Sequence, residues 1–321
     1  MIQYIVRRLL QMVPIIIGIS FIIFGIFALA PGDFIDANMS TASMSAERIE
    51  ELKEVYGLKG PIHERYVKWA SRAVLGDWGQ SLQFKKPVMD VIDDYIWNSF
   101  ILSVVAQFIS ILIAVPIGVL SATKQYSFLD KFFTVFAFIG LALPSFFMGL
   151  VCMKIFAVDM KVLPLGGLVT AGANYTGWAH IKDMALHLIM PVFVLSFLGI
   201  GSLVRYTRTA MLEVIKQDYI RTARAKGLSE RTVIYKHAFR NALIPIITLL
   251  GLMLPSLFSG AILTETIFAY PGIGKVALGA ILKRDYFLLM GFNMLMAILT
   301  LAGNLIADLL YAAADPRVRL K

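Results

Sequence analysis

Four histidines, one cysteine and a scatter of carboxylates are the groups with which this chain could do chemistry. The histidines are His63, His180, His187 and His237. No two stand four apart and none belongs to an H-E-x-x-H pattern, so helical metalloprotease chemistry has no basis. The stretch "AYPGIGKV", 269–276, approaches a phosphate-binding loop in composition. Ala269 stands where the first glycine must be, and Val276 stands where Ser or Thr must follow Lys275. ATP cannot be held by that route. Cys152 alone allows neither an internal disulfide nor a cysteine-rich metal site. "NYT" at Asn174 has the form of a glycosylation sequon, but three residues recur by chance and carry no weight. Inside the apolar runs, carboxylate and ammonium groups are scarce: Asp308 in the last and Lys154 near the end of the third. An ion-coupled transporter or proton pump needs a chain of such groups at mid-bilayer depth. Asp308 reads as a helix-packing or interface group. The chain therefore reads as a pathway with no energy source of its own.

The elements that must position these groups are mostly apolar helices. Of 321 residues, 58% are hydrophobic and 16% charged, against roughly 45–50% and about 25% in a soluble domain. Six runs are long enough to cross a hydrocarbon core of roughly 30 Å. They lie near 9–30, 99–122, 132–157, 186–204, 242–263 and 287–313. This predicts an all-α, polytopic membrane protein, with residues 1–321 forming a single transmembrane domain. The first run follows Arg7 and Arg8, as a signal peptide's would. Its apolar core is too long and no small-residue cleavage site precedes Pro31-Gly32-Asp33, so it reads as a retained helix. Pro116, Pro144, Pro191, Pro245 and Pro255 lie in these runs. They suit kinks in a moving bundle and static packing equally.

The formal net charge of +9 is explained by topology once it is mapped onto loops. With a cytoplasmic N-terminus, the inside segments are 1–8, 123–131, 205–241 and 314–321. They hold about 16 Lys and Arg in roughly 60 residues, and the outside segments about 13 in roughly 120, as the positive-inside rule asks. Both termini are then cytoplasmic, and no nucleic-acid partner is needed to account for the charge. Residues 31–98 form the long extracytoplasmic loop. Ser45 can cap a short helix carrying Ile49, Leu52, Val55 and Tyr56 on one face, stopped by Gly57. A second amphipathic piece runs from about His63 to Leu75 through Tyr66, Trp69 and Ala73, before Gly76. The loop is either a structured cap over the helix ends or a docking surface for an extracytoplasmic partner.

One polar segment interrupts the apolar runs: "DYIRTARAKGLSERTVIYKHAFRN", 218–241. Residues 211–226 contain no Pro or Gly, and Leu212, Ile215, Tyr219, Ile220 and Ala223 recur at helical spacing. Gly227 supplies the φ > 0 residue that ends such a helix, and Ser229 can cap a second one toward Asn241. A basic helix–Gly–helix element of this kind suits insertion into a partner's groove or anchorage on anionic lipid.

"DYIRTARAKGL" with "HAFRNALIPIIT" resembles the cytoplasmic signature loop of ABC-importer permeases of the dipeptide/oligopeptide/nickel branch. "RRLLQMVPIIIGISFIIF", "APGD", "ALPSFFMGL", "LTETIFAYPGIGK" and "YAAADPRVRLK" match the same branch in order along the whole chain. Arg221-Thr222-Ala223 takes the place of the E-A-A of the wider superfamily's loop, ahead of Gly227. His237, Phe239 and Arg240 take the places of its downstream I, L and P, as the peptide branch is expected to show.

The resemblance implies a type I ABC importer permease fold in a bacterial plasma membrane. It implies four partners besides the lipid bilayer: a second homologous permease, two cytoplasmic ATPases and an extracytoplasmic substrate-binding protein. ATP and Mg would lie on the partner subunits, with no cofactor in this chain and no enzymatic activity of its own. The segment around 218–227 becomes the coupling helix, seated in an ATPase cleft. Asp218, Tyr219, Arg221, Thr222, Ala223, Arg224, Ala225 and Gly227 are its candidate coupling residues. Of these, Asp218, Arg221 and Arg224 supply rim contacts, and Ala223 and Ala225 allow close approach. Oligopeptide is the first expected substrate, dipeptide the second and nickel the third. A secondary transporter and a membrane-embedded enzyme are the rival classes, and neither finds the polar intramembrane groups it needs.

Overall fold

The computed structural model describes residues 2–32, 35, 45–55 and 60–314. Expectations for Tyr56, Gly57, Asp33 and residues 315–321 lie outside the described residues. The main helices are α1 (Ile2–Leu29), α2 (Ala46–Val55), α3 (Ile62–Ala73), α4 (Val88–Thr123), α5 (Phe128–Ala142) and α6 (Ser145–Cys152). There follow α7 (Gly177–Ile215), α8 (Asp218–Ala225), α9 (Glu230–Thr232), α10 (Arg240–Leu252), α11 (Ile262–Ile267), α12 (Ile273–Leu282) and α13 (Tyr286–Ala314). A two-stranded antiparallel hairpin, β1 (Gln80–Ser81) and β2 (Lys86–Pro87), leads into α4.

Among the described residues, four helices are long and apolar enough to cross a membrane: α1, α4, α7 and α13. Two further crossings are bent pairs, which bring the number to six if each pair is one span. The run expected as one helix over 132–157 is broken at Leu143-Pro144, and its halves meet at 97°. Proline removes the N–H the helix needs and drives the residue before it out of the α region. Leu143 is accordingly extended, at φ −80° and ψ 126°. The second bend, 48°, falls where Pro255 opens a 3₁₀ turn, Leu254–Leu257, between α10 and α11. Pro116, Pro191 and Pro245 sit inside unbroken helices. Thus two of the five prolines make the breaks.

The spans also run longer than hydropathy alone predicts. α4 begins eleven residues before Ser99, and Val88, Val91, Ile92 and Ile96 are buried along that polar-faced extension. α7 runs past Val204 to Ile215, so the helix expected over 211–226 is in fact the end of α7, a break at Lys216-Gln217, and α8.

Contacts at the two ends fix which termini lie together. The Tyr4 hydroxyl donates to Asp308 at 2.7 Å, and Arg8 pairs with the same carboxylate at 3.0 Å. Asp308 is therefore a tie between α1 and α13. At the opposite end the Tyr286 hydroxyl donates to the Gly32 carbonyl at 3.1 Å. Here α3 lies on α1: Tyr66 and Trp69 pack against Phe24, and Tyr66 shares a 3.0 Å hydrogen bond with Ser20. α2 begins at a Ser45 whose Oγ accepts from the Arg48 N–H at 3.3 Å. Lys154 pairs with Asp159 on the π-helical continuation of α6, Met153–Asp159.

Candidate coupling surface

α8 is short, and each end is made by local chemistry. α7 stops at Ile215, and Gln217 turns extended at φ −73° and ψ 149° before α8 starts. Asp218 stands in the first turn and Arg224 in the last, the order that the helix dipole favours. The C-terminal end is a Schellman motif: Leu228 N–H bonds the Ala223 carbonyl at 3.4 Å and Gly227 N–H the Arg224 carbonyl at 2.9 Å. Gly227 sits at φ +75°, which a β-branched side chain tolerates poorly. Arg224 then crosses the turn to Glu230, with bonds of 2.6 and 3.1 Å. That hydrogen bond holds the Arg224 guanidinium above its ordinary pKa.

The two faces of α8 differ. Ile220 and Ala223 are buried against Val119 and Ala122 of α4, Ala210 and Met211 of α7, and Val233, Ala238 and Ala242. Asp218, Arg221, Thr222 and Ala225, spaced as one helical stripe, are exposed. Tyr219 is half-exposed beside them, and partial burial pushes its phenol pKa up. Arg221 reaches Asp218 at 3.5 Å with both side chains largely in solvent. So of the eight candidate coupling residues, Asp218, Tyr219, Arg221, Thr222 and Ala225 share an outward surface. Arg224 is turned to Glu230 and Gly227 makes the turn. Ala223 departs from expectation: it faces inward, and its small size serves packing within this chain. Ser229 departs too. It stands at the N-cap position, yet its Oγ pairs with the Thr232 hydroxyl at 2.9 Å and caps no backbone N–H.

Several buried carboxylates were not singled out from sequence, Asp183 and Asp285 among them, and two others tie distant elements near the bundle's functional parts. One is Asp130, at the start of α5, which takes both a 2.7 Å and a 2.9 Å bond from Arg208 of α7. The other is Glu265, fully buried in the "ETIFAYPGIGK" stretch. Its carboxyl accepts from Ser99 at 2.6 Å, from Ala261 N–H at 3.0 Å and from Lys275 N–H at 3.0 Å. Ser99 in turn accepts from Ile273 N–H at 2.8 Å, so the orphan donors opening α12 are met from two distant side chains. Among the described residues no three His, Cys, Asp or Glu side chains are grouped to hold a metal ion.

These features define a multi-pass helical membrane protein with an exposed amphipathic helix seated on one end of its bundle. Residues 114–320 match the family of binding-protein-dependent transport system inner membrane components, and residues 1–103 match the N-terminal region of the corresponding membrane components. The chain belongs to this family. It is 42% identical over 319 residues to the oligopeptide transport system permease protein AppB of Bacillus subtilis (strain 168), covering 99% of each chain. It is 35% identical to the dipeptide transport system permease protein DppB of Escherichia coli (strain K12), covering all of both. Among solved structures it resembles a chain of the inward-facing MetNI methionine ABC transporter, with a TM-score of 0.53 and 16% identity. That match covers 71% of this chain and 97% of the other. The fold is the all-α importer-permease fold that the sequence predicts.

Proposed function

We propose that this chain is the permease subunit of an ATP-driven peptide importer, forming half of the translocation pathway beside a second homologous permease. Oligopeptides are the first substrate class and dipeptides the second, following the systems to which its relatives belong. An extracytoplasmic binding protein delivers the substrate, and two cytoplasmic ATPases, which carry ATP and Mg, drive transport. The observation that carries the coupling part is α8 itself. Ile220 and Ala223 root it in the bundle, while its exposed stripe offers a partner a small, mixed-charge surface. Movement imposed on α8 is thereby passed to α4, α7 and the segment that follows.

The test uses the complete complex in liposomes. Gly227→Val breaks the Schellman turn, at about 1 kcal/mol or more in backbone strain. Ala225→Trp places bulk on the exposed stripe. Both should abolish substrate-stimulated ATP hydrolysis while the subunit stays in the membrane. Arg221→Ala with Arg224→Ala is the contrasting variant: if α8 were only a lipid anchor, that loss of charge would hurt and the two shape changes would be mild. Normal stimulation in both Gly227→Val and Ala225→Trp would reject the coupling assignment.

A further inference from the structure

The contact between α5 and α7 is largely apolar. Ala137 packs with Ile200, Leu203 and Val204, and Phe136 meets Phe197 edge-on at 5.2 Å. Gly140 and Gly201 bring the two backbones close together here: a Cβ on Gly201 would lie 2.6 Å from the Ala137 carbonyl oxygen. Near the α8 end of this contact the character changes. Asp130, with 3% of its surface exposed, accepts Arg208 Nε at 2.7 Å and Nη2 at 2.9 Å, a two-pronged pair that fixes register as well as distance. The same carboxylate takes the Tyr126 N–H at 2.9 Å and the Thr134 hydroxyl at 3.4 Å. Tyr126 is held in the left-handed region at φ +64°, and Ser127 caps α5 by accepting the Asp130 N–H at 3.3 Å. Asp130 thus gathers the turn before α5, the first turn of α5 and the α7 guanidinium onto one group.

The position matters as much as the geometry. Arg208 lies on the last turns of α7, beside the Ala210 and Met211 that help form the seat of α8. α5 leads, through the 97° break, into α6. We infer that Asp130 and Arg208 are positioning residues for energy coupling, a joint that makes α5 follow the α7–α8 unit. This rests on the proposed role of α8, and it adds the route by which motion leaves that helix for the broken α5–α6 crossing. A buried carboxylate held two-pronged by a partly exposed guanidinium, in an otherwise apolar interface, fixes register through the geometry of the fork. Removing one partner of such a pair is costly, so in the fraction of the complex that stays folded α5 should lag behind α7.

Spin labels at Lys131→Cys and Glu213→Cys, in a Cys152→Ser background, report the α5–α7 separation in the complete complex. In the parent the separation should be the same without nucleotide and with ATP trapped. In Asp130→Asn it should differ between the two states. Transport per ATP hydrolysed should fall about tenfold, the size of an ordinary coupling free energy. Arg208→Lys, which keeps the charge without the fork, should fall less. Parental transport per ATP in Asp130→Asn would overturn the inference. So would transport and hydrolysis declining together in proportion to folded complex, with label distances unchanged, since that marks a purely structural pair. Failure of the α8 reading shows itself separately, as normal stimulation in Gly227→Val and Ala225→Trp. The label distances decide the joint in that case as well.

Discussion

Glu265 has both carboxyl oxygens engaged: Oε1 takes the Ser99 hydroxyl and the Ala261 N–H, and Oε2 takes the Lys275 N–H. The consequence is a strict demand on its neighbours. A Cβ on Gly272 would lie 2.4 Å from the Glu265 carboxyl and 2.5 Å from Ser99 Oγ, closer than atoms approach. Gly272→Ala should therefore expel the carboxyl from its donors. Glu265→Gln keeps the shape but sets an NH₂ against N–H or O–H donors, leaving a buried donor unmet at about 2 kcal/mol. Both variants should lower the melting temperature of the detergent-solubilised subunit, and so should Ser99→Ala, which leaves the buried Ile273 N–H without its acceptor. An unchanged melting curve in Glu265→Gln would mean that these hydrogen bonds do not hold α12 in place. The sequence showed "ETIFAYPGIGK" as a distinctive string, yet the use of its glutamate depended on Ser99, which lies far away in the chain.

At the scale of elements, α8 owes its stability to tertiary packing, since a helix of 8 residues is too short to persist alone in water. Ile220 is fully buried in its seat. Ile220→Ala should cost about 2–4 kcal/mol of local stability by leaving a cavity. Faster hydrogen exchange across α8, with the membrane helices unaffected, is the measurement, and unchanged protection would show that the seat does not hold it. Ala223→Trp should act in the same way, by overfilling the seat. Much of this element was legible: its helical spacing, its glycine stop and its place between two apolar runs follow from residue order. The orientation of Ala223 was not, because periodicity marks a buried stripe without saying whether this chain or a partner buries it. The long ends of α4 and α7 escaped for a related reason. Hydropathy records the apolar block, whereas Val88, Val91, Ile92 and Ile96 continue α4 as one buried stripe among charged neighbours. The break at Pro144 was visible as a proline, but Pro116, Pro191 and Pro245 look alike in sequence and leave their helices whole. Only packing separates the two outcomes.

At the scale of the whole molecule, orientation in the membrane follows from which charges share an end. The contact of Tyr4 and Arg8 with Asp308 puts the start of α1 and the end of α13 together. The chain then crosses an even number of times, and α4 returns from the Gly32–Tyr286 end to deliver its last turns to the seat of α8. That end gathers Arg7, Arg8, Lys124, Lys131 and the nine Lys and Arg of 205–241. The opposite end carries the loop with more acid than base. Positive charge resists translocation, so the basic end should face the cytoplasm. Cys152 is buried, with 4% of its surface exposed, which leaves a quiet background for labelling. Ser71 on α3 and Ser229 beyond α8 are both exposed. On intact cells a membrane-impermeant thiol reagent should modify Ser71→Cys and spare Ser229→Cys. After permeabilisation it should modify both. Modification of Ser229→Cys in intact cells would invert the topology and remove α8 from the reach of any cytoplasmic ATPase.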